Sequence, residues 1–186
     1  MRTVHIQRTK GDSDKVATTA RELLPNQELL APLDAQQKEW LIERARILRF
    51  GRGEKIIRQG SEGCSMFIIV HGEVDVVVHV NNQQTVVATL RSGEAFGEMC
   101  LLTGEKRSAT VIAKTDCDLW EIDRALLQPL MQENSGLAER MSELLARRKM
   151  ETDGVLAAQA PGNLVEKKRE ENVASIQRLI RSLFEI

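Results

Sequence analysis

The sequence predicts an α+β fold in which an antiparallel β-roll or jelly roll, a double-stranded β-helix, is flanked by N- and C-terminal helices. Two observations carry that expectation. Between residues 48 and 122, short alternating segments are separated by Gly51-Arg52-Gly53, the glycines of 60–63, His71-Gly72, Asn81-Asn82 and Ser92-Gly93, a turn rhythm that suits a rolled antiparallel sheet. On either side the apolar period turns helical, with Trp40, Leu41 and Ala45 on one stripe and Leu137, Met141, Leu144 and Leu145 on another.

Taken in order, residues 3–7 alternate weakly as a strand and Gly11-Asp12-Ser13-Asp14 breaks the pattern, so 1–14 read as the end of a preceding domain and a linker. Residues 15–24 suit a helix stopped before Pro25, and Asp34 is a good N-cap for a second helix over 35–47. After the strands, 125–132 suit a short helix in spite of Pro129, Asn134-Ser135-Gly136 punctuates it, and the next helix runs to about Met150, closing a domain over 15–150. Residues 151–163 read as a linker, since 154–162 are small and contain proline and glycine. Residues 164–186 suit an amphipathic helix with Val173, Ile176, Leu179, Ile180, Leu183 and Phe184 on one side and Arg178 and Arg181 on the other. That face requires a partner surface, and homo-oligomers through the terminal helices would supply one. The charge run 166–171 reads as an exposed helical face.

Composition excludes several classes. With 42% hydrophobic and 28% charged residues the chain of 186 is an ordinary globular one, and no apolar run approaches a membrane span. A formal charge of −1, two Trp, four Phe and no Tyr give little for nucleic acid to bind or stack on. Cys64, Cys100 and Cys117 lack CxxC spacing and read as core thiols of a reducing compartment, and the N-terminus lacks an apolar signal region, so a cytoplasmic location is expected. His71, His79 and the remote His5 do not make a metal-binding constellation, so neither a metal nor enzymatic activity is expected. Met66, Met99 and Met141 read as core fillers.

The most informative stretch is FGEMCLLTGEKRSATV, residues 96–111. Gly97 lets the chain bend out of a strand, and residues 98–102 then form a short helical turn. Its first backbone N–H groups have no partner inside so short a helix and, with the helix dipole, suit a phosphate. Arg107 returns with the counter-charge, since a guanidinium can clamp two phosphate oxygens. Glu98 would repel a phosphate but can accept a hydrogen bond from a sugar hydroxyl. One positive and one negative end imply a ligand with both groups. A surface ion pair between Glu98 and Arg107 on a hairpin is the plainer alternative.

FGEMCLLTGEKRSAT resembles the phosphate-binding cassette of cyclic-nucleotide-binding domains, the family of the catabolite activator protein, kinase regulatory subunits and nucleotide-gated channels. The upstream run from Phe50 to Val76, containing GEKIIRQG and MFIIVHGEVDV, is similar to that family's entry into the roll, so the likeness spans about 24–150. It implies that Gly97 and Glu98 hold the ribose 2′-hydroxyl. Arg107 and Ser108 would hold the cyclic phosphate with help from the Ala109 amide, beside Met99 and Cys100 in the helical turn. It also implies that the helix carrying 137–150 caps the base, where Arg148 could stack on a purine; a solvated helix end is the competing reading of Arg147-Arg148-Lys149. The implied ligand is cAMP or cGMP, with cAMP favoured, and no cofactor.

The implied role is a non-enzymatic sensor that moves its capping helix on binding. A transcription activator would need more chain after Met150, and a kinase regulatory subunit a second cassette. The opening RTVHIQR and the ending IQRLIRSLFEI are similar to bacterial mechanosensitive-type channels that carry a cyclic-nucleotide domain, so a membrane channel domain in a longer chain is the expected effector. A stand-alone regulatory subunit of another effector is the alternative, and a cupin-like metal enzyme the competing class.

Overall fold

Strand β3 (Ser65–His71) is buried along all but its last residue, and that run shows how the layers lie. Phe67 and Ile69 point between two sheets, where they meet Ile57, Val74, Phe96, Val111 and Leu119. Met66, Ile68 and Val70 point the other way and join Trp120 and Ile122 beneath the helices. Successive strand residues face opposite sides, so a strand covered on both faces reads as a continuous apolar run.

The computed structural model describes residues 18–19, 21–23, 27–80, 83–157 and 167–186. Its other strands are β1 (Arg46–Phe50), β2 (Lys55–Ile57), β4 (Glu73–Val80), β5 (Gln83–Arg91), β6 (Ala95–Phe96), β7 (Thr110–Ala113) and β8 (Cys117–Asp123). They form two four-stranded sheets of order β1-β8-β3-β6 and β2-β7-β4-β5. Every pairing is antiparallel, and the whole is the expected roll with helices against it. Phe67 and Phe96 stack with ring centroids 5.2 Å apart, tying β6, which leads into the 96–111 stretch, to β3. Leu119 is fully buried between the sheets, where truncation to Ala would cost about 2–5 kcal/mol.

A 3₁₀ turn (Glu28–Leu30) precedes α1 (Ala35–Arg44). Asp34 caps α1 as expected: its carboxylate accepts from Gln37 N at 2.7 Å, while Gln37 Oε1 accepts from Asp34 N at 3.2 Å. The helix is shorter than the 35–47 expected. Ala45 is already extended and Ile47 pairs with Trp120 across β1 and β8, so strand pairing overrides the helical stripe. Leu41 and Ile42 are its buried residues, with Trp40 and Ala45 only partly covered.

After β8, Asp123 caps α3 (Arg124–Glu133) by accepting from Leu126 N at 3.0 Å; α2 (Glu98–Thr103) lies earlier, in the candidate site. Helix α4 (Ser135–Ala157) buries Leu137, Met141, Leu144 and Leu145 to 3% exposure or less. It continues past Met150, so 151–157, expected as linker, are helical; an interior glycine such as Gly154 costs a helix only about 1 kcal/mol. The rest of that linker lies outside the described residues, as do 1–14. Of the expected helix over 15–24, Thr18, Thr19 and residues 21–23 are described and helical.

The last helix, α5 (Lys167–Phe184), packs on α4, α2 and α3. Ile176, Ile180 and Phe184 are buried there, but Leu179, expected on the same face, is 42% exposed. The side chains of the 166–171 charge run lie outside the described residues. Cys100 and Cys117 are buried as expected and burial pushes the Cys117 thiol up. Cys64 departs from expectation and is exposed, because it sits in the loop before β3. No described helix is long and apolar enough to cross a membrane.

Candidate functional site

β6 ends at Phe96 and is followed by Gly97, whose φ of +82° is open to glycine at little cost and turns the chain into α2. The residue is constrained by space as well, since a Cβ there would lie 2.7 Å from Arg107 Nη1. Glu98 opens α2 and is 4% exposed. The chain then loops back through Gly104 to Arg107, just before β7.

Arg107 is fixed by its own backbone and by its guanidinium. The backbone bonds the loop before β3 in both directions, Gly60 N to Arg107 O at 2.8 Å and Arg107 N to Ser61 O at 2.9 Å. Nη1 donates to Ser65 O at 2.7 Å and Gly97 O at 2.8 Å, and Nη2 donates to Ser65 Oγ at 3.3 Å. Gly63 leaves the room this requires, because a Cβ there would sit 2.5 Å from Nη2. The side chain is thus only 7% exposed. Among the described residues no carboxylate pairs with it. Neutral carbonyls orient the guanidinium without cancelling its charge, and a buried charge normally demands a partner. The surface ion pair between Glu98 and Arg107 does not form.

Both residues line a cavity of about 560 Å³ between the β4/β5 sheet and α4. Gly97, Glu98, Met99, Cys100, Arg107, Ser108, Ala109 and Arg148, the expected ligand-binding set, all border it. Ile57, Val76, Val78, Leu90 and Val111 give it an apolar wall. Met99 is therefore not a simple core filler: it packs on the core and also faces the cavity, where Ser108 Oγ lies 3.8 Å from its sulfur.

Arg148 reaches the cavity from α4. Its Nη1 donates to Glu98 Oε1 at 2.8 Å and to Ala95 O at 2.7 Å, so its guanidinium is held at the Glu98 end of the cavity while the side chain stays partly exposed. The same helix is tied to the 3₁₀ turn: Glu28 accepts from Arg147 at 2.6 and 3.1 Å and from Arg140 at 3.3 Å. The hydrogen bond from Arg147 holds the Glu28 carboxyl below its ordinary range, and the same bond raises Arg147.

Residues 47–134 match the family model of the cyclic nucleotide-binding domain. The chain carries a domain of that family. Solved structures agree in fold. The chain is similar to the regulatory domain of Toxoplasma gondii PKA with cAMP, at 20% identity and a TM-score of 0.63 over 92% of this chain and 59% of that one. It is similar to a mutant regulatory subunit of a cAMP-independent protein kinase A from Trypanosoma brucei bound to cAMP in the A site, at 28% identity and a TM-score of 0.60 over 71% and 49%. A cyclic nucleotide-binding domain from Methylobacillus flagellatus matches at 22% identity and a TM-score of 0.67 over 89% of this chain and 99% of that one. The chain spans about half to three-fifths of these two kinase regulatory chains.

Within this cyclic nucleotide-binding domain several residues in or behind the cavity wall escaped sequence reasoning. Ser65, at the start of β3, and Gly63, in the loop before it, hold Arg107 from more than forty positions upstream, and only the clustered glycines of 60–63 mark that loop in the sequence. Glu28 and Glu151 border the cavity because of how α4 lies over the roll, which no local pattern encodes.

Proposed function

We propose that this domain is a non-enzymatic sensor that binds a 3′,5′-cyclic purine nucleotide, cAMP in preference to cGMP, between the roll and α4. The observation that carries this is Arg107, a buried guanidinium that faces the cavity, is held in place by neutral acceptors and is paired with no carboxylate among the described residues. A cyclic phosphate supplies the missing negative charge, with the α2 amides of Glu98, Met99 and Cys100, the Ser108 hydroxyl and the Ala109 amide completing its shell. The 2′-hydroxyl donates to Glu98. The purine lies on the wall of Ile57, Val76, Val78, Leu90 and Val111, and Arg148 comes to it from the lid. The cAMP named with two of the similar structures supports this choice of ligand.

A ligand that touches both α2 and α4 favours the arrangement in which both contacts exist, and it shifts that equilibrium only by its differential affinity. Occupancy therefore reads out as a change at α4, here already joined to the 3₁₀ turn through Glu28. The resemblance of RTVHIQR and IQRLIRSLFEI favours a membrane channel as effector, with this domain on its cytoplasmic side. Patch recordings of the complete protein should then show cAMP-dependent conductance; conductance blind to cAMP contradicts that assignment.

Titration calorimetry with cAMP, cGMP and adenosine tests the central reading. Saturable binding of cAMP, weaker cGMP and much weaker adenosine is expected. Adenosine binding as tightly as cAMP would remove Arg107 from phosphate recognition, and failure of both cyclic nucleotides would overturn the proposal.

A further inference from the structure

α5 touches two elements that face the cavity, α2 and α4. Ile176, Ile180 and Phe184 are at most 6% exposed, in one cluster with Leu101 and Leu102 of α2 and Leu144 and Leu145 of α4. No described α5 side chain borders the cavity. α2 is a helix of six residues, roughly 9 Å long at 1.5 Å per residue. Its first half, Gly97 to Cys100 with the cap, forms cavity wall, and its rear half packs on α5. At the far end, Gly104 closes α2 with its N–H on Cys100 O at 3.0 Å, and a Cβ there would lie 3.6 Å from Leu183 Cδ1. From the α3 side the tie to this helix is weaker, a 3.4 Å bond from Arg124 Nη2 to Leu101 O, with Arg124 Nε left unpartnered. The rear of the cassette helix is therefore seated between β3 on one side and α5 on the other.

We propose that α5 is a positioning element of the nucleotide site, in which Ile180 and Phe184 hold the rear of α2 in register with α4, so that docking of α5 and binding of nucleotide reinforce each other. The inference rests on the reading of the cavity as a cyclic-nucleotide site. A helix this short moves as one body, so a shift at Leu101 and Leu102 carries the amides and Glu98 with it. Because α5 binds the same pair of elements that the nucleotide bridges, its removal leaves α2 on β3 with only the ligand linking it to α4. Linkage makes the effect reciprocal: what α5 does for nucleotide affinity, nucleotide does for α5 docking.

The test uses the intact chain. Calorimetry should show cAMP binding about tenfold weaker in Phe184→Ala and Ile180→Ala, within the 5- to 150-fold range of ordinary coupling. Phe184→Leu should restore most of it, and Leu179→Ala, at an exposed position of the same helix, should leave affinity unchanged. In the unmodified protein, saturating cAMP should slow amide exchange across 173–184, a response that a merely structural helix would not give. Should Phe184→Ala fail to fold, that exchange measurement and the half-buried Leu183→Ala decide the matter. Wild-type cAMP binding with an insensitive Phe184→Ala, or with exchange in α5 unchanged while 97–109 slows, overturns the inference alone; a wild type that binds no cAMP overturns the functional reading and the inference with it.

Discussion

Arg107 and Arg148 reach the same cavity from opposite sides, and they differ in what they have found there. Arg148 lies 2.8 Å from the Glu98 carboxylate and is 29% exposed at its side chain. Arg107 is 7% exposed and holds only carbonyl and hydroxyl oxygens. The Arg107 end, proposed to take the phosphate, is thus charged, oriented and uncompensated, so an arriving anion gains an interaction without displacing an ion pair. The Glu98 end, proposed to take the ribose, is already satisfied by Arg148, so a ligand hydroxyl there would share or replace that bond. Preorganisation belongs to the first end and exchange to the second; affinity should come mostly from Arg107, and lid movement from Arg148.

The sharpest way to break this comparison is to substitute both arginines. Arg107→Ala should cost about 2–5 kcal/mol of cAMP affinity, the loss of a charge-assisted contact to a buried anion, with the fold retained by circular dichroism. Arg148→Ala should leave affinity within about tenfold, a change of 1.4 kcal/mol, since its contact to Glu98 is lost to the ligand in any case. Equal losses at the two positions would erase the distinction. The next effect is at the ribose: 2′-deoxy-cAMP should bind about 1–3 kcal/mol more weakly, because Glu98 is left without the hydroxyl it accepts from. Equal calorimetric affinities for the two nucleotides would assign Glu98 entirely to Arg148.

The smallest effect lies where α4 meets the 3₁₀ turn. Glu28 has its carboxyl held below the ordinary range by Arg147, so this pair stabilises the fold above that range and the contribution fades as pH falls through the lowered value. Both partners are about half exposed, and solvent screening limits the pair to about 0–1 kcal/mol. Thermal melts should show Glu28→Gln slightly less stable than wild type at neutral pH and the gap closing on acidification; a gap that widens in acid contradicts the assignment.

The contrast between the two arginines also shows what the sequence makes legible. Gly97, Glu98 and Arg107 stand within one local stretch where a bend, a helix start and a cation follow each other, so their chemistry can be read in line. Their partners cannot. Ser65 and Gly63 meet Arg107 only because β3 crosses behind the cassette, and Arg148 meets Glu98 only because α4 folds back over the roll. The strands were legible from turn glycines, while the end of α1 was not, since Ile47 is claimed by β8 across the sheet. The continuation of α4 past Gly154 was missed for a similar reason, a glycine being a weak stop where flanking residues favour helix. The face of α5 was visible as a periodicity, but its partner surface, assembled from α2, α3 and α4, is a product of the whole fold.

The account stands most directly on a ligand that bridges the cassette and the lid. Hydrogen exchange of the intact chain, with and without saturating cAMP, measures both sides at once. Segments with few buried contacts open locally, and ligand contact raises their protection. Protection rising in 97–109 and also in 137–150 is the predicted result. Protection confined to 97–109 would mean that nucleotide binds without using α4 as its lid, and no change in either segment would contradict the account altogether.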